Sequence, residues 1–368
     1  MTTVSGQSDS APEVGITLGE TEPPSPTEIL RVQDLTVDFP TDDGVVHAVR
    51  GVSYTLHERE VLGIVGESGS GKSVSSMAVM GLLPRNAQIS GSIVYRGQDV
   101  LSMRQKNWRS LRGNKISMIF QDPMTALNPV HTVGDQLAEA VLAHELVPRK
   151  VANERAVEML ELVGIPQARS RLKSYPHEFS GGMRQRVMIA MAIINDPDVL
   201  IADEPTTALD VTVQAQILEK LIEVKDAVNA AIVLITHDLG VIAGMAHRVL
   251  VMYAGKPVEV GPTDPVFYRT RMPYTAGLLG SIPALDTDGD RLRPIHGTPP
   301  SMINLPKGCP FSPRCPLATD VCRQSEPELA ATDDADHAAA CHHWRQLAES
   351  PDPTTFFATS TESRKGEL

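Results

Sequence analysis

The residues Gly66-Glu67-Ser68-Gly69-Ser70-Gly71-Lys72-Ser73 combine exposed backbone amides, a lysine and a hydroxyl at a fixed spacing, G-x-x-x-x-G-K-[ST]. Glycines let a backbone wrap phosphate oxygens with N–H groups. The lysine then reaches the β and γ phosphates, and the hydroxyl suits a magnesium ion. A second glycine-rich loop, Phe179-Ser180-Gly181-Gly182-Met183, has a hydroxyl and bare amides but neither a Gly-Lys pair nor a magnesium ligand. It can grip a phosphate but cannot hold the rest of a nucleotide. We therefore expect a half-site that another molecule completes.

Three strand ends add polar chemistry. Asp203 and Glu204 close the apolar run Val199-Leu200-Ile201-Ala202. There Asp203 suits magnesium, and Glu204 suits the role of general base toward a water. Gln121 follows the apolar "ISMIF", where an amide touches metal or water without adding charge. His237 follows "AIVLIT", placed to donate to a γ phosphate.

These groups need elements to bring them together. "EVLGIVG" reads as a buried strand running into the first loop, and "KSVSSMAVMGLL" as the helix after it. "ILRVQDLTVDF" and "VVHAVRGVSYTL" alternate as an antiparallel pair around Gly44, and "GSIVYRGQDV" reads as a further strand pair. Helix is expected at 182–195 and 212–227, and buried strand at 199–202 and 231–236. Such alternation argues for a parallel sheet covered by helices, with ligands at the carboxyl ends of its strands. The boundaries expected are a disordered leader (1–28), a nucleotide-binding domain (29–261) with a helical insert (104–178), a separate small unit (262–345) and a flexible tail (346–368).

The chain has 368 residues, 42% of them hydrophobic, and a net charge of −12. A sizeable core is therefore expected, and the acidic balance disfavours nucleic acid as a partner. No stretch reaches the roughly 18 apolar residues of a membrane span, and no basic-then-apolar signal segment opens the chain. The expectation is a soluble protein, with membrane association only by docking.

Taken in order, GESGSGKS, Gln121, FSGGM, VLIADE, Ala208-Leu209-Asp210 and His237 resemble the motifs of an ATP-binding cassette (ABC) ATPase. The resemblance implies an α/β fold of the P-loop NTPase type. A RecA-like parallel sheet would be joined by an antiparallel β subdomain and an inserted helical subdomain. It implies that ATP and Mg2+ bind at Gly66, Ser68, Gly69, Ser70, Gly71, Lys72 and Ser73, with Ser73, Gln121 and Asp203 on the metal. Glu204, His237 and Gln121 would be catalytic, and Phe39 would stack on adenine with Val46 and Ala48 nearby. Ser180, Gly181 and Gly182 would face the nucleotide of a partner cassette, and Asp210 would lie at the dimer interface.

Met183 stands where that family usually has glutamine, a departure similar to the D-type ATPase subunits of oligopeptide and dipeptide permeases. "PYTAGLL" (273–279), "PIHGTPP" (294–300) and "GCPFSPRCP" resemble the C-terminal extension of the same subfamily. The implied role is ATP hydrolysis powering uptake of short peptides. The implied partners are a homologous ATPase subunit in a heterodimer, two membrane permease subunits and an extracytoplasmic peptide-binding protein. The implied place is the cytoplasmic face of the cell membrane. Two alternatives are an importer of nickel or another solute, and a non-transport ABC ATPase acting on nucleic acid or ribosomes. A single cassette, no heptad run and the acidic charge weigh against the latter.

All four cysteines, Cys309, Cys315, Cys322 and Cys341, lie in the extension with spacing C-x5-C-x6-C-x18-C. Four thiolates suit a 4Fe–4S cluster or zinc. The loose spacing tilts toward iron–sulfur as a structural staple, and several members of the resembled family imply the same. Zinc and unmetallated thiols are the other readings. His337, His342 and His343 either join a zinc site or stand exposed on a final helix.

Overall fold

The structure is a computed structural model that describes residues 27–207, 210–281 and 294–357. The leader up to residue 26, Ala208, Leu209 and the tail from residue 358 lie outside the described residues. Two long strands, β1 (Glu28–Thr41) and β2 (Gly44–His57), form an antiparallel hairpin, and β3 (Val61–Val65) leads into α1 (Lys72–Val79). β4 (Gln88–Tyr95) and β5 (Gln98–Asp99) complete a sheet of order β2-β1-β4-β5. Then come α2 (Gln105–Leu111), β6 (Ile116–Ile119), α3 (Pro123–Ala126), α4 (Val133–Leu142), α5 (Arg149–Leu162), α6 (Ala168–Arg171) and α7 (Gly181–Ile193). The chain continues through β7 (Val199–Asp203), α8 (Val211–Val228), β8 (Ala231–Thr236), α9 (Leu239–Met245), β9 (Arg248–Tyr253) and β10 (Lys256–Pro262). α10 (Thr263–Tyr268), α11 (Pro273–Leu279), α12 (Asp320–Gln324), β11 (Ala330–Ala331), β12 (Ala338–Ala339) and α13 (Trp344–Ala348) make up the extension.

The main sheet has the order β11-β12-β10-β9-β3-β8-β7-β6. Its strands from β6 to β9 pair in parallel. Every residue of β3, β7 and β8 is buried. Continuous apolar runs of this kind are what a sheet covered on both faces requires. One apolar cluster lies between the main sheet and the helices around α4, α5, α7 and α8. A second joins the sheet's other face to the β1–β2–β4 subdomain.

Three boundaries differ from those expected. β6 falls inside the stretch read as helical insert, yet it pairs with β7 in the main sheet. The helical unit therefore begins after it. The extension is joined to the sheet: β12 pairs antiparallel with β10 (Glu259↔Ala339, Val260↔Ala338). An open edge strand offers unpaired N–H and C=O groups, and β12 satisfies them. The tail also packs further than its composition suggested. Phe357 is 4% exposed, and a Cβ built on Gly277 of α11 would come within 2.9 Å of its ring.

Candidate functional site

The loop between β3 and α1 is shaped by close backbone approach. A Cβ on Gly66 would lie 2.2 Å from the Met252 carbonyl oxygen, and one on Gly71 would lie 2.4 Å from that of Ala48. Both glycines also have positive φ, 153° and 99°, so any side chain is excluded twice over. The result is a cradle of backbone pressed against β2 and β9. Ser70, 3% exposed, points its Oγ into this packing without a hydrogen-bond partner. Lys72 Nζ donates to the carbonyl oxygens of Gly66 (2.7 Å) and Glu67 (3.0 Å), so the ammonium is curled over its own loop. Burial lowers the Lys72 pKa, against the opposing charges of Glu204, Asp203 and Glu67.

The strand-end residues converge on this loop. Ser73 Oγ donates to Asp203 Oδ1 at 2.9 Å. Burial raises the Asp203 pKa and the neighbouring Glu204 charge adds to it, while the Ser73 hydrogen bond and Lys72 act in the other direction. Glu204 follows β7 with φ 47°, a left-handed conformation that costs a non-glycine residue about 1–2 kcal/mol. The turn is held by its own N–H donating to the Ile235 carbonyl at 2.8 Å. Its carboxylate receives Gln121 Nε2 (3.1 Å) and Thr207 Oγ1 (2.8 Å), and His237 Nδ1 lies 3.5 Å away. Thr207 is a partner that the sequence reading missed. Its nearness to Glu204, three residues away, was the available signal.

Phe39 is half-buried on β1, opposite Val46 of β2, with Ala48 further along β2. Ser180 caps α7, accepting from the Met183 N–H at 3.4 Å. Ser180 and Gly181 are exposed, and among the described residues no hydrogen bond joins this loop to Gly66–Ser73. Met183 packs its side chain against the core. Asp210 caps α8 through Val213 N–H at 3.0 Å.

The cysteine expectation is corrected. The four residues do gather around one cavity, but its volume is about 20 Å³, room for a water and no more. Burial raises the thiol of Cys309 and pushes those of Cys315 and Cys341 up to about 12. Among the described residues no group of three or more His, Cys, Asp or Glu is placed to hold a metal ion. Neither the 4Fe–4S cluster nor the zinc alternative is supported. The histidines are engaged elsewhere. His343 Nε2 lies 2.8 Å from Thr319 Oγ1 and His342 Nε2 lies 3.0 Å from the Ser325 carbonyl. His337 is 1% exposed and pairs with Glu259.

A phosphate cradle at the strand–helix turn of a parallel sheet, beside a paired Asp–Glu edge, defines a P-loop ATPase. The family model for ABC transporters matches residues 49–207, and the model for the oligopeptide/dipeptide transporter C-terminal region matches 258–322. The chain belongs to the family of oligopeptide and dipeptide transport ATP-binding proteins, and it hydrolyses ATP. It is 53% identical to the dipeptide transport ATP-binding protein DppD of Bacillus subtilis, over 88% of this chain and 96% of that one. It is also 53% identical to the oligopeptide transport ATP-binding protein OppD of Salmonella typhimurium, over 83% and 92%. The match to OppD of Mycobacterium tuberculosis, also 53%, covers 92% of this chain but 56% of the relative. Among solved structures, cbiO1 from Clostridium perfringens superposes with a TM-score of 0.56 at 28% identity, covering 66% of this chain and 91% of that one. The cassette MJ0796 bound to ADP and Pi gives a TM-score of 0.57 at 23% identity, covering 64% and 99%, a likeness of fold alone.

Proposed function

We propose that this chain is the ATPase subunit of a peptide importer and that its ATP site is built as the residues suggest. The observation that carries this reading is the hydrogen-bonded edge Ser73–Asp203 with Gln121–Glu204–His237 beside the phosphate cradle. In it, Gly66, Ser68, Gly69, Ser70 and Gly71 present backbone amides to the phosphates. Lys72 exchanges its two carbonyl acceptors for the β and γ oxygens. The unpartnered Ser70 Oγ and the side-chain-free cradle fit an oxygen-rich ligand. Ser73, Asp203 and Gln121 would hold Mg2+, which supplies positive charge against the phosphate oxygens. Glu204 takes the proton of the attacking water, with its carboxylate oriented by Gln121 and Thr207. His237 donates toward the γ phosphate, and Phe39 stacks on adenine.

Ser180, Gly181 and Gly182 face the γ phosphate held by a homologous cassette, across an interface that includes Asp210. Short peptides are the solute, by likeness to relatives named for oligopeptide and dipeptide transport. Two permease subunits receive the chain, with the helical unit after β6 as the docking element, and a peptide-binding protein delivers the solute. No described helix is long and apolar enough to cross a membrane; the proposed attachment at the cytoplasmic face is by docking on the permease subunits. Replacing Glu204 with Gln tests the assignment. MgATP binding should persist, while turnover of the assembled complex falls about a hundredfold or more. Undiminished turnover would remove Glu204 from the role of base.

A further inference from the structure

The second residue of the phosphate loop is tied to the C-terminal extension. Arg314, with a side chain 5% exposed, forks onto Glu67: Nη1 donates to Oε2 at 2.6 Å and Nη2 to Oε1 at 2.8 Å. The guanidinium is fixed on its other sides. Nε donates to the His296 carbonyl at 3.1 Å, Nη1 reaches the Tyr253 hydroxyl at 3.3 Å, and the Tyr253 and Phe311 rings lie 5.9 Å from Cζ. The Glu67 backbone N–H donates to the Tyr274 hydroxyl at 2.7 Å. Tyr253, Tyr274 and Phe311 pack edge-to-face or tilted against one another with centroids 4.5–5.4 Å apart. Side chain and backbone of Glu67 are therefore both held by one rigid cluster, most of which comes from beyond the ATP-binding sheet.

The held residue matters because of Lys72. The lysine ammonium sits 3.0 Å from the Glu67 carbonyl, within one side chain's reach of the Glu67 carboxylate. A carboxylate left free at that place would compete with phosphate for the ammonium, since both are anionic oxygens. The two-pronged arginine donates to both carboxylate oxygens and so engages them.

We propose that Arg314 is a positioning residue of the ATP site: it holds the Glu67 carboxylate off Lys72 and so keeps the ammonium free for phosphate. This deepens the reading of Gly66–Ser73 as the ATP loop and rests on it. It also makes the extension part of the nucleotide site. By linkage, bound ATP and the docked extension stabilise each other.

The test is equilibrium binding of MgATP to the purified full chain. Arg314→Met should weaken binding about tenfold, by freeing one charged competitor. Adding Glu67→Gln to Arg314→Met should restore binding to within about threefold of the original chain, because no carboxylate remains to compete. A merely structural role predicts no such rescue. Equal weakening in the single and double variants overturns the proposal, as does full affinity in Arg314→Met. If Arg314→Met does not fold, Arg314→Lys serves. It keeps the charge but not the fork, so it should weaken binding less, and Glu67→Gln should again remove the loss. Absence of rescue there is equally fatal. Failure of the unaltered chain to bind MgATP would remove the ATP reading first and the proposal with it. Binding by that chain with an unaffected Arg314→Met removes the proposal alone.

Discussion

Ser180 does two things that substitution can separate. Within its own chain it caps α7 through a long hydrogen bond to Met183, so Ser180→Ala should cost at most about 1 kcal/mol of stability. Its hydroxyl is otherwise turned outward, toward the nucleotide we assign to a partner cassette. The variant should thus bind MgATP at its own loop normally, while hydrolysis by the paired cassettes falls. Nucleotide titration beside a phosphate-release assay checks both arms, and unchanged hydrolysis would remove the serine from the composite site. The convergence of Lys72, Ser73 and Asp203 was legible in the sequence because the phosphate-loop pattern fixes local spacing and strand ends announce themselves by apolar runs. Arg314 was not legible. It meets Glu67 from 247 positions away, and nothing local in "PFSPRCP" distinguishes an arginine that clamps a loop from one in water. The cysteines misled for a related reason. Their clustering in sequence was real, but spacing does not report the size of the space between thiols.

At the scale of elements, the join between β10 and β12 brings a charged group into the core. Glu259 is fully buried, and its carboxylate accepts from Thr270 Oγ1 at 2.8 Å and from the Arg271 N–H, with His337 Nε2 at 2.9 Å. His337→Ala leaves that carboxylate short of a partner and should destabilise the protein by about 3 kcal/mol, read by chemical denaturation. A loss under about 1 kcal/mol would show that the backbone and threonine contacts suffice.

Beside it, the Arg271 fork onto Asp333 lowers that carboxyl to about 2. A depressed carboxylate pKa adds stability above the unfolded value near 3.9, and that stability disappears as pH falls toward about 2. The wild-type melting temperature should therefore drop more steeply than that of Asp333→Asn between about pH 4 and pH 2. The size of the difference is limited because Asp333 is half-exposed. Periodicity revealed most of the elements here, including β8 at its observed ends. The insert boundary at 104 enclosed β6 although "ISMIF" reads as a strand, because a four-residue strand between helices does not announce which sheet it joins.

For the whole molecule, the composite-site reading predicts assembly. With Glu204→Gln in this chain and MgATP present, adding the homologous subunit should shift the mass seen by light scattering to that of two chains. A chain that stays monomeric under those conditions would sink the shared-nucleotide arrangement. The architecture was legible because the motifs fall in one order along strands and helices of the right length. How the extension sits was not, since strands of two residues such as β11 and β12 form only when an existing sheet edge receives them.

That late-arriving strand sets an order of events during synthesis. Glu259 emerges from the ribosome 78 positions before His337. At ordinary translation rates the wait is roughly 4 to 16 seconds. Throughout that interval the β10 edge stands open and the Glu259 carboxylate lacks its histidine. Arg314 also arrives long after Glu67, so the phosphate loop is made first and locked later. On the proposed role of Arg314, a growing chain that has already completed every ATP motif still lacks the group that holds Glu67 until its last quarter is delivered.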